Sequence, residues 1–367
     1  MKRKFKKLIK NPEIFFRDLL IKRYPVINCE QKFTESEEAA VSIVDQKLQE
    51  IEAKIVLPND FPVDIVYTWV NDQDPIWQQK KSKFENMNLA CENSNDSARF
   101  ENHNELYYSV LSVKKNLPWV RKIFIVTDNQ RPEWLVQDEK IEIIDHSEII
   151  DHHFLPTFNS HVIEANLYKI KGLSEHFIYF NDDVFVAKPL KKEHFFRKNG
   201  MASIFVSDKS LQEMENRGVS TATLKASQNS RALIAQNTGF DTNIPLVHTY
   251  VPLRKNAFEQ AYSTYEDQIS EFLNNKFRGK DDLNIATFLV PWLMYIDGKS
   301  VVSTEICYYF NIRSNHRDQQ YEKLLAKKKK SYLPHSFCLN DVSCQAEKNG
   351  ELTQKKLQFF LKKFFEI

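Results

Sequence analysis

Apolar runs separated by amphipathic segments organise the chain from residue 63 onward. The runs rich in β-branched and aromatic residues, which predict strands, are residues 63–70, 122–128, 141–150 and 176–182. The stretches with apolar residues at helical spacing between them are residues 104–116 and 160–170. Apolar strands that alternate with helices predict an α/β fold with a mostly parallel, covered sheet. From residue 250 onward the pattern is mainly helical.

Both ends of the chain combine basic and apolar residues at helical spacing. Residues 1–23 carry nine Lys and Arg against two acids, and residues 354–367 carry four Lys against one Glu. Such segments either bind an anionic membrane surface or dock on the protein's own core, and the sequence leaves both alternatives open. We therefore expect a basic amphipathic segment with a helix at 1–58, a main domain at 59–345 and a basic amphipathic helix at 346–367.

Composition disfavours several common classes of protein. The chain has seven glycines and neither a GxGxxG nor a P-loop pattern, so a nucleotide site of those types is not expected. Its five cysteines are scattered, odd in number and never in a CxxC pair, and no signal peptide or long apolar run is visible. These features predict a reduced, cytoplasmic protein. The net charge of +2 conceals basic ends and an acidic body, which disfavours nucleic-acid binding.

Three of the predicted strands end in polar clusters. They are Asn71, Asp72 and Asp74 at the first, Thr127, Asp128 and Asn129 at the second, and Asn181, Asp182 and Asp183 at the fourth. Carboxyl ends of parallel strands share one sheet edge, where ligands bind. A single Asp at a strand end is usually a turn residue, but the pair Asp182–Asp183 after a wholly apolar strand favours a cation. Carboxylate and amide oxygens suit Mg²⁺ or Mn²⁺.

Several stretches of the sequence are similar to a known family. They are "DIVYTWVNDQDPIW" at 64–77, residues 99–190 from "RFENHNELYYSV" to "VFVAKPL", "VHTYVPLRKNAFEQ" at 247–260, "FRGKDDLNIATFLVPWLMYIDGK" at 277–299 and "SFCLND" at 336–341. In this order they resemble the four conserved regions of the Stealth family. That family includes bacterial capsular polysaccharide phosphotransferases and the catalytic part of the animal N-acetylglucosamine-1-phosphotransferase. The resemblance covers most of residues 61–345 and implies a GT-A-like fold with a helical C-terminal part.

The resemblance also implies a reaction. A hexose- or N-acetylhexosamine-1-phosphate would pass from a nucleotide sugar, usually UDP-linked, to a sugar hydroxyl, building phosphodiester-linked capsular polysaccharide and releasing the nucleoside monophosphate. Two alternatives stay open, a metal-dependent GT-A glycosyltransferase of capsule synthesis and a non-catalytic membrane-associated scaffold. The implied partners are the nucleotide-sugar donor and the growing capsular oligosaccharide. The basic ends add the anionic inner face of the plasma membrane and the capsule export machinery as candidates.

Motif positions carry the implied roles onto this chain. The residues implied as Mg²⁺ or Mn²⁺ ligands are Asp182, Asp183, Asn340 and Asp341. The residues implied as catalytic are His248 as general base, Arg278 for transition-state charge, and Asp74. The residues implied in substrate binding are Arg99, Asp128, Asn159, Ser160 and Glu164. The alternative for His248 is a hydrogen-bonded core histidine, because its neighbours are apolar.

The chain departs from the family pattern in a few places. Asn102–His103 stand where the family usually reads Asp-Asn, and Tyr107 stands where it reads Arg. These departures leave the identity of the donor sugar and of the acceptor open, but they do not affect the expected reaction. The histidines at 146, 152, 153 and 161 lack zinc-site spacing, so we expect polar loop residues. The lysine run at 327–330 either forms a solvated face or attracts an anionic acceptor electrostatically.

Overall fold

A central five-stranded sheet forms the middle of the protein. The computed structural model describes residues 33–55, 60–85, 102–329, 333–341 and 350–366, together with residue 12. Its strands are β1 Val63–Thr68, β2 Ile123–Thr127, β3 Ile141–Asp145, β4 His176–Asn181, β5 Val184–Val186, β6 Ala202–Phe205, β7 Val251–Arg254, β8 Ser300–Ser303, β9 Cys307–Asn311 and β10 Ser336–Asn340. Its helices are α1 Glu35–Glu52, α2 Pro75–Glu85, α3 Glu105–Asn116, α4 His146–Ile149, α5 Ser160–Ala165, α6 Lys192–Phe195, α7 Leu211–Asn216, α8 Ala222–Thr238, α9 Lys255–Thr264, α10 Glu266–Phe272, α11 Val290–Ile296, α12 Arg317–Lys329 and α13 Gly350–Phe365.

The central sheet has the strand order β3-β2-β1-β4-β7. The first four strands are parallel, and β7 pairs antiparallel with β4 at the edge. Every residue of β2 is buried, as expected for a sheet with both faces covered. Thr68 lies opposite Val126 on one side and Asn181 on the other, so the carboxyl ends of β1, β2 and β4 are level. The predicted α/β fold with a mostly parallel sheet and flanking helices is confirmed.

A second sheet, β5-β10-β9, joins the C-terminal part of the chain to the end of β4. Only Asp182 and Asp183 separate β4 from β5. Strand β10 pairs antiparallel with β5, and the backbone N–H of Leu339 donates to the carbonyl of Asp183 at 3.0 Å. The C-terminal part is helical as predicted, but it also contains β7 to β10. The sequence pattern did not predict these strands, which are four or five residues long.

Two predicted elements end earlier than expected. The strand predicted at 141–150 ends at Asp145, because Asp145 caps helix α4. Its carboxylate accepts the Ser147 N–H at 2.9 Å, while Glu148 accepts the Asp145 N–H at 2.8 Å, which is a reciprocal capping box. The helix predicted at 160–170 is α-helical only over Ser160–Ala165, and a 3₁₀ turn follows at Leu167–Lys169.

The C-terminal helix α13 docks on the protein's own core. Its apolar face packs with Phe337 of β10 and Tyr321 of α12 in a second hydrophobic cluster. The buried residues of that face are Leu357, Phe360, Leu361, Phe364 and Phe365. Of the two alternatives for the chain ends, docking on the core therefore holds for α13, whereas residues 1–23, apart from residue 12, lie outside the described residues. No helix in the described part of the chain combines the length and apolar character needed to cross a membrane.

We expect Phe360→Ala to destabilise the protein by about 3–5 kcal/mol, the usual effect of emptying a buried phenylalanine site. Phe360 is 1% exposed and stacks on Tyr321 with ring centroids 4.3 Å apart. Its neighbour Phe359 is 68% exposed, so Phe359→Ala should change the free energy of unfolding by about 0.5 kcal/mol or less. Urea unfolding of the two variants measures both values. Equal effects would contradict the docking of α13.

Candidate active site

Three carboxyl groups meet at the carboxyl edge of the central sheet. Asp182 and Asp183 form the turn from β4 to β5, and Glu105 begins helix α3. Asn104, in the left-handed conformation at φ 65°, turns the chain into that helix. Glu105 is buried, and it accepts the backbone N–H of His103 at 2.7 Å. The sequence did not identify Glu105, since an acid in the first turn of a helix is ordinarily a solvated residue that favours the helix dipole.

The pKa values of two of these carboxyl groups, Glu105 and Asp182, are raised. Burial raises the pKa of Glu105 to about 7. The charge of Asp183 acts in the same direction, whereas His103 and backbone hydrogen bonds act in the opposite one. Burial of its carboxyl, together with the charges of Glu105 and Asp183, raises the pKa of Asp182 well above its usual range, although the residue keeps part of its surface exposed. Buried carboxylates that repel one another are stabilised by a cation among them.

This cluster makes the stability of the metal-free protein depend on pH. Because the folded-state pKa of Glu105 is about 7 and its ordinary value is 4.5, the folded state retains this proton more strongly than the unfolded state. The resulting stability is fully present below pH 4.5 and is lost as the pH rises to about 7. Glu105→Gln should remove this contribution, which is roughly 3 kcal/mol at most.

The measurement is the free energy of unfolding of the metal-free parent and the Glu105→Gln variant, taken at a series of pH values across that window. The difference between the two proteins isolates Glu105 from the other titrating groups. Parallel pH profiles would show that the Glu105 carboxyl does not titrate differently in the folded and unfolded states.

Asp183 brings together residues from distant parts of the chain. Its Oδ2 lies 3.2 Å from the sulfur of Cys338 and 3.4 Å from Nδ2 of Asn340, both on β10. Ligand atoms of Asp183, Cys338 and His248 lie within 4.8 Å of one another. Among the described residues, buried Asp183 Oδ1 and buried His248 Nε2 have no hydrogen-bond partner. The structure thus places the predicted residues Asp183, His248 and Asn340 side by side and adds Cys338.

Asp341, the remaining predicted metal ligand, pairs with two cationic groups. Arg313 holds both of its carboxylate oxygens, and His103 Nε2 lies 2.9 Å from Oδ2. Burial would raise the pKa of Asp341, but hydrogen bonds from Arg313 and His103 hold it below its usual range. A metal ion would compete with these partners, so the ligand role of Asp341 stays a prediction. His103, one of the departures from the family pattern, therefore contacts the stretch predicted to be the fourth region.

A second polar group lies beside the end of β4 and centres on Tyr179. Its hydroxyl donates to Asn181 Oδ1 at 2.7 Å and lies 3.0 Å from the hydroxyl of Thr68. Burial and the charge of Glu164 raise its pKa well above the usual value, while Arg278 acts in the opposite direction and Asp182 in the same one. Glu164, Arg278 and Asp182 are therefore close enough to Tyr179 to act on it electrostatically.

Arg278 and Ser160, predicted for transition-state charge and for the donor, contact each other. The Arg278 guanidinium donates to the Ser160 hydroxyl, with Nε at 3.1 Å, and its Nη1 lies 3.4 Å from the Thr223 hydroxyl. Asn159 is wholly buried, caps α5 through the His161 N–H and donates to Asp282 at 2.9 Å. Both ends of its side-chain amide are used within the protein, so a direct contact between Asn159 and the donor sugar would require this hydrogen bonding to rearrange.

The remaining predicted residues have local partners. Asp74 caps α2 by accepting the Ile76 N–H at 2.9 Å and accepts Gln130 Nε2 at 3.0 Å. These hydrogen bonds, that from Gln130 first, lower the pKa of Asp74 despite some opposing desolvation. Asp128 pairs with Lys80 at 2.7 Å. Arg99 lies outside the described residues. The roles predicted for these residues stay predictions.

A second group of described residues that could hold a metal ion is fully buried. Its members are His194, Glu305 and His335. Glu305 accepts hydrogen bonds from Ser336 at 2.6 Å and Tyr250 at 3.0 Å, and it lies 2.9 Å from His194 Nε2. Interactions with the two histidines outweigh burial and lower the pKa of Glu305 to about 2. The carboxylate is thus hydrogen-bonded by the protein itself.

Comparison with known proteins gives concordant matches along the chain. The family model for Stealth protein conserved region 1 matches residues 61–89, and that for conserved region 2 matches residues 99–204. The capsular polysaccharide phosphotransferase fcs1 of Haemophilus influenzae is 54% identical over 99% of this chain and 100% of its own length. The corresponding protein LcbA of Neisseria meningitidis is 52% identical over 100% of both chains. The galactosyltransferase LgtC is a structural match with a TM-score of 0.41 and 9% identity, covering 83% of this chain and 96% of that one.

The protein has an α/β fold with acidic groups that could hold a metal ion at the carboxyl edge of its sheet. It is also similar over its full length to phosphotransferases, and this similarity defines its class as a transferase. The chain belongs to the Stealth family of capsular polysaccharide phosphotransferases. The family resemblance and the prediction of a phosphotransferase are confirmed by these matches. The assignment of residues 247–260, 277–299 and 336–341 to the third and fourth regions stays a prediction.

Proposed function

We propose that this protein transfers a hexose- or N-acetylhexosamine-1-phosphate from a UDP-linked sugar to a hydroxyl of a growing capsular oligosaccharide. The acceptor oxygen bonds to the phosphorus that carries the sugar, and the bond from that phosphorus to the nucleoside monophosphate breaks. The product is a phosphodiester between two sugars. The names and full-length identity of the relatives support capsule synthesis as the setting.

The observation that carries the proposal is the convergence of four separate chain segments on one acidic edge. Asp182 and Asp183 come from β4–β5, Glu105 from α3, Asn340 from β10, and His248 from the segment before β7. Phosphoryl transfer requires stabilisation of negative charge and a group that positions and deprotonates the nucleophile. This edge contains oxygen ligands for a cation and, beside them, His248 Nε2, which has no hydrogen-bond partner among the residues that the structure describes.

The residues present fit a divalent cation. Asp182 and Asp183, with Glu105 and Asn340 nearby, would hold Mg²⁺ or Mn²⁺ through oxygen atoms. When bound, the cation neutralises charge on the donor phosphates and on the leaving nucleotide. His248 accepts the proton of the acceptor hydroxyl at Nε2, which no protein donor among the described residues occupies. Arg278, held by Ser160, contributes a fixed positive charge beside the end of β4.

The released nucleotide tests the proposed reaction directly. We would incubate the purified chain with Mg²⁺, a short capsule oligosaccharide and a panel of nucleotide sugars, and separate the nucleotides chromatographically. The expected products are UMP and an oligosaccharide with a new phosphodiester signal in ³¹P NMR. Release of UDP with a phosphate-free linkage would instead establish a glycosyltransferase. Absence of turnover with every donor of the panel would favour the scaffold alternative.

A further inference from the structure

Three side chains with different donor atoms meet beside the acidic edge. Asp183 offers a carboxylate, His248 an imidazole and Cys338 a thiol, and one ligand atom from each lies within 4.8 Å of the others. The Cys338 sulfur and Asp183 Oδ2 are already 3.2 Å apart. Ligands of a tetrahedral zinc, at about 2.0–2.3 Å from the metal, lie roughly 3.3–3.8 Å from one another. Side-chain adjustments of about 1 Å therefore suffice to close the three around one ion.

This donor set differs from the one that the transfer reaction needs. Mg²⁺ is a hard cation that takes oxygen ligands, whereas thiolate and imidazole favour borderline-soft ions such as Zn²⁺. A half-buried carboxylate, a half-buried imidazole and a buried thiol around one point supply three zinc ligands, the number found in zinc sites that keep a fourth position for water or substrate. The other metal-capable group, His194, Glu305 and His335, offers only nitrogen and oxygen.

Two atoms of the group Asp183, His248 and Cys338 also lack the hydrogen-bond partners that buried polar atoms ordinarily have. Asp183 Oδ1 and His248 Nε2 are buried, and neither has a hydrogen-bond partner within the described part of the chain. Leaving a buried polar atom unpaired destabilises a protein, so a ligand that satisfies both atoms would be stabilising. In the His194–Glu305–His335 group, by contrast, Ser336, Tyr250 and His194 already hydrogen-bond the carboxylate.

We propose that Asp183, His248 and Cys338 form a binding site for a borderline-soft divalent cation of the Zn²⁺ class, and that this cation inhibits the enzyme. On binding, the Cys338 thiol releases its proton to solvent and the sulfur bonds to the metal. The ion then occupies Asp183, a ligand of the activating cation, and Nε2 of His248, the proposed base. The inhibitory half rests on the proposed function, whereas binding of the metal does not.

Cobalt(II) is the probe for the binding half. Co²⁺ is added to the metal-stripped full chain, and near-ultraviolet absorption reports bonding between thiolate and cobalt. We expect this absorption to reach its maximum at one equivalent and to disappear when Zn²⁺ is added. Cys338→Ser should abolish it. Cys307→Ser is the matched control, because Cys307 is a buried cysteine on the adjacent strand β9 whose sulfur contacts the His248 carbonyl at 3.6 Å. That control should retain the absorption.

Inhibition is then measured as nucleotide release in excess Mg²⁺ with increasing Zn²⁺, each variant relative to its own zinc-free rate. Cys338→Ser should raise the inhibitory Zn²⁺ concentration about tenfold or more. His248→Asn is a second ligand variant, included in case Cys338→Ser does not fold. It should lower Co²⁺ affinity about tenfold or more and keep the circular-dichroism spectrum of a folded protein.

Two results would overturn the site. One is Co²⁺ binding without thiolate absorption, which would place the ion in a nitrogen and oxygen site such as His194–Glu305–His335. The other is absorption that survives Cys338→Ser, which would assign it to another cysteine. If the absorption behaves as expected and no UMP is released by any variant, the metal site stands and the proposed function fails. If UMP is released and Zn²⁺ inhibits the parent and Cys338→Ser equally, the inhibitory half fails.

Discussion

Asp183→Asn is expected to lower kcat roughly 10³-fold, because a ligand contributes to several kcal/mol of charge stabilisation by the cation. The same change should make the metal-free protein more stable, since it removes one charge from the cluster with Asp182 and Glu105. Asparagine keeps the size of the side chain and an oxygen that can accept from Asn340 and Cys338. When replacing an active-site residue lowers activity but raises stability, the native residue stores strain that a bound ligand offsets.

Initial rates of nucleotide release at saturating donor and Mg²⁺ measure the first effect, and thermal unfolding with and without Mg²⁺ measures the second. The parent should gain stability from Mg²⁺ by mass action, and the variant should not. Asp208→Asn is the control, since Asp208 is an exposed loop acid. A variant that retained the parental rate would rule out Asp183 as a ligand of an activating cation.

His248→Gln is the second substitution with a large expected effect, a fall in kcat of about 10²–10⁴-fold with little change in the KM for the donor. The reason is that Nε2 of His248 is buried beside Asp183 with no hydrogen-bond partner in the described part of the chain, where the acceptor hydroxyl would be deprotonated. Stabilisation by Mg²⁺ should survive this change, because the proposed magnesium ligands are oxygen atoms.

The comparison that isolates His248 is His153→Gln, since His153 is an exposed histidine paired with Asp151. Steady-state kinetics with varied donor separates kcat from KM in both variants. A rise in donor KM at unchanged kcat would show that His248 binds the donor rather than acting as base. Loss of the Mg²⁺ effect on thermal unfolding would instead make it a ligand of the activating cation.

The sequence predicted the parts of this site that depend on local pattern. Continuous apolar runs located β1, β2 and β4, and the parallel arrangement then placed Asp182 and Asp183 at the shared edge. The motif resemblance added His248 and Asn340, which the structure places beside Asp183.

The missed residues are those whose environment is created by distant segments. Glu105 has the pattern of a solvated helix-start acid, and only packing near Asp182 and Asp183 buries it. Cys338 lies in an apolar strand and resembles an ordinary core residue until β10 pairs with β5. His103 meets Asp341 across 238 positions of sequence. Such pairings leave no periodic signal, because neither partner constrains the residues next to it in the chain.

The position of β10 has a consequence for the timing of synthesis. This strand supplies Cys338 and Asn340 and closes the acidic turn of β4–β5, yet Cys338 follows Asp183 by 155 positions in the sequence. A nascent chain or a truncated fragment that ends before Ser336 therefore lacks one wall of the site. Assembly of the site therefore has to wait until β10 has been synthesised, because it depends on contacts of high sequence separation.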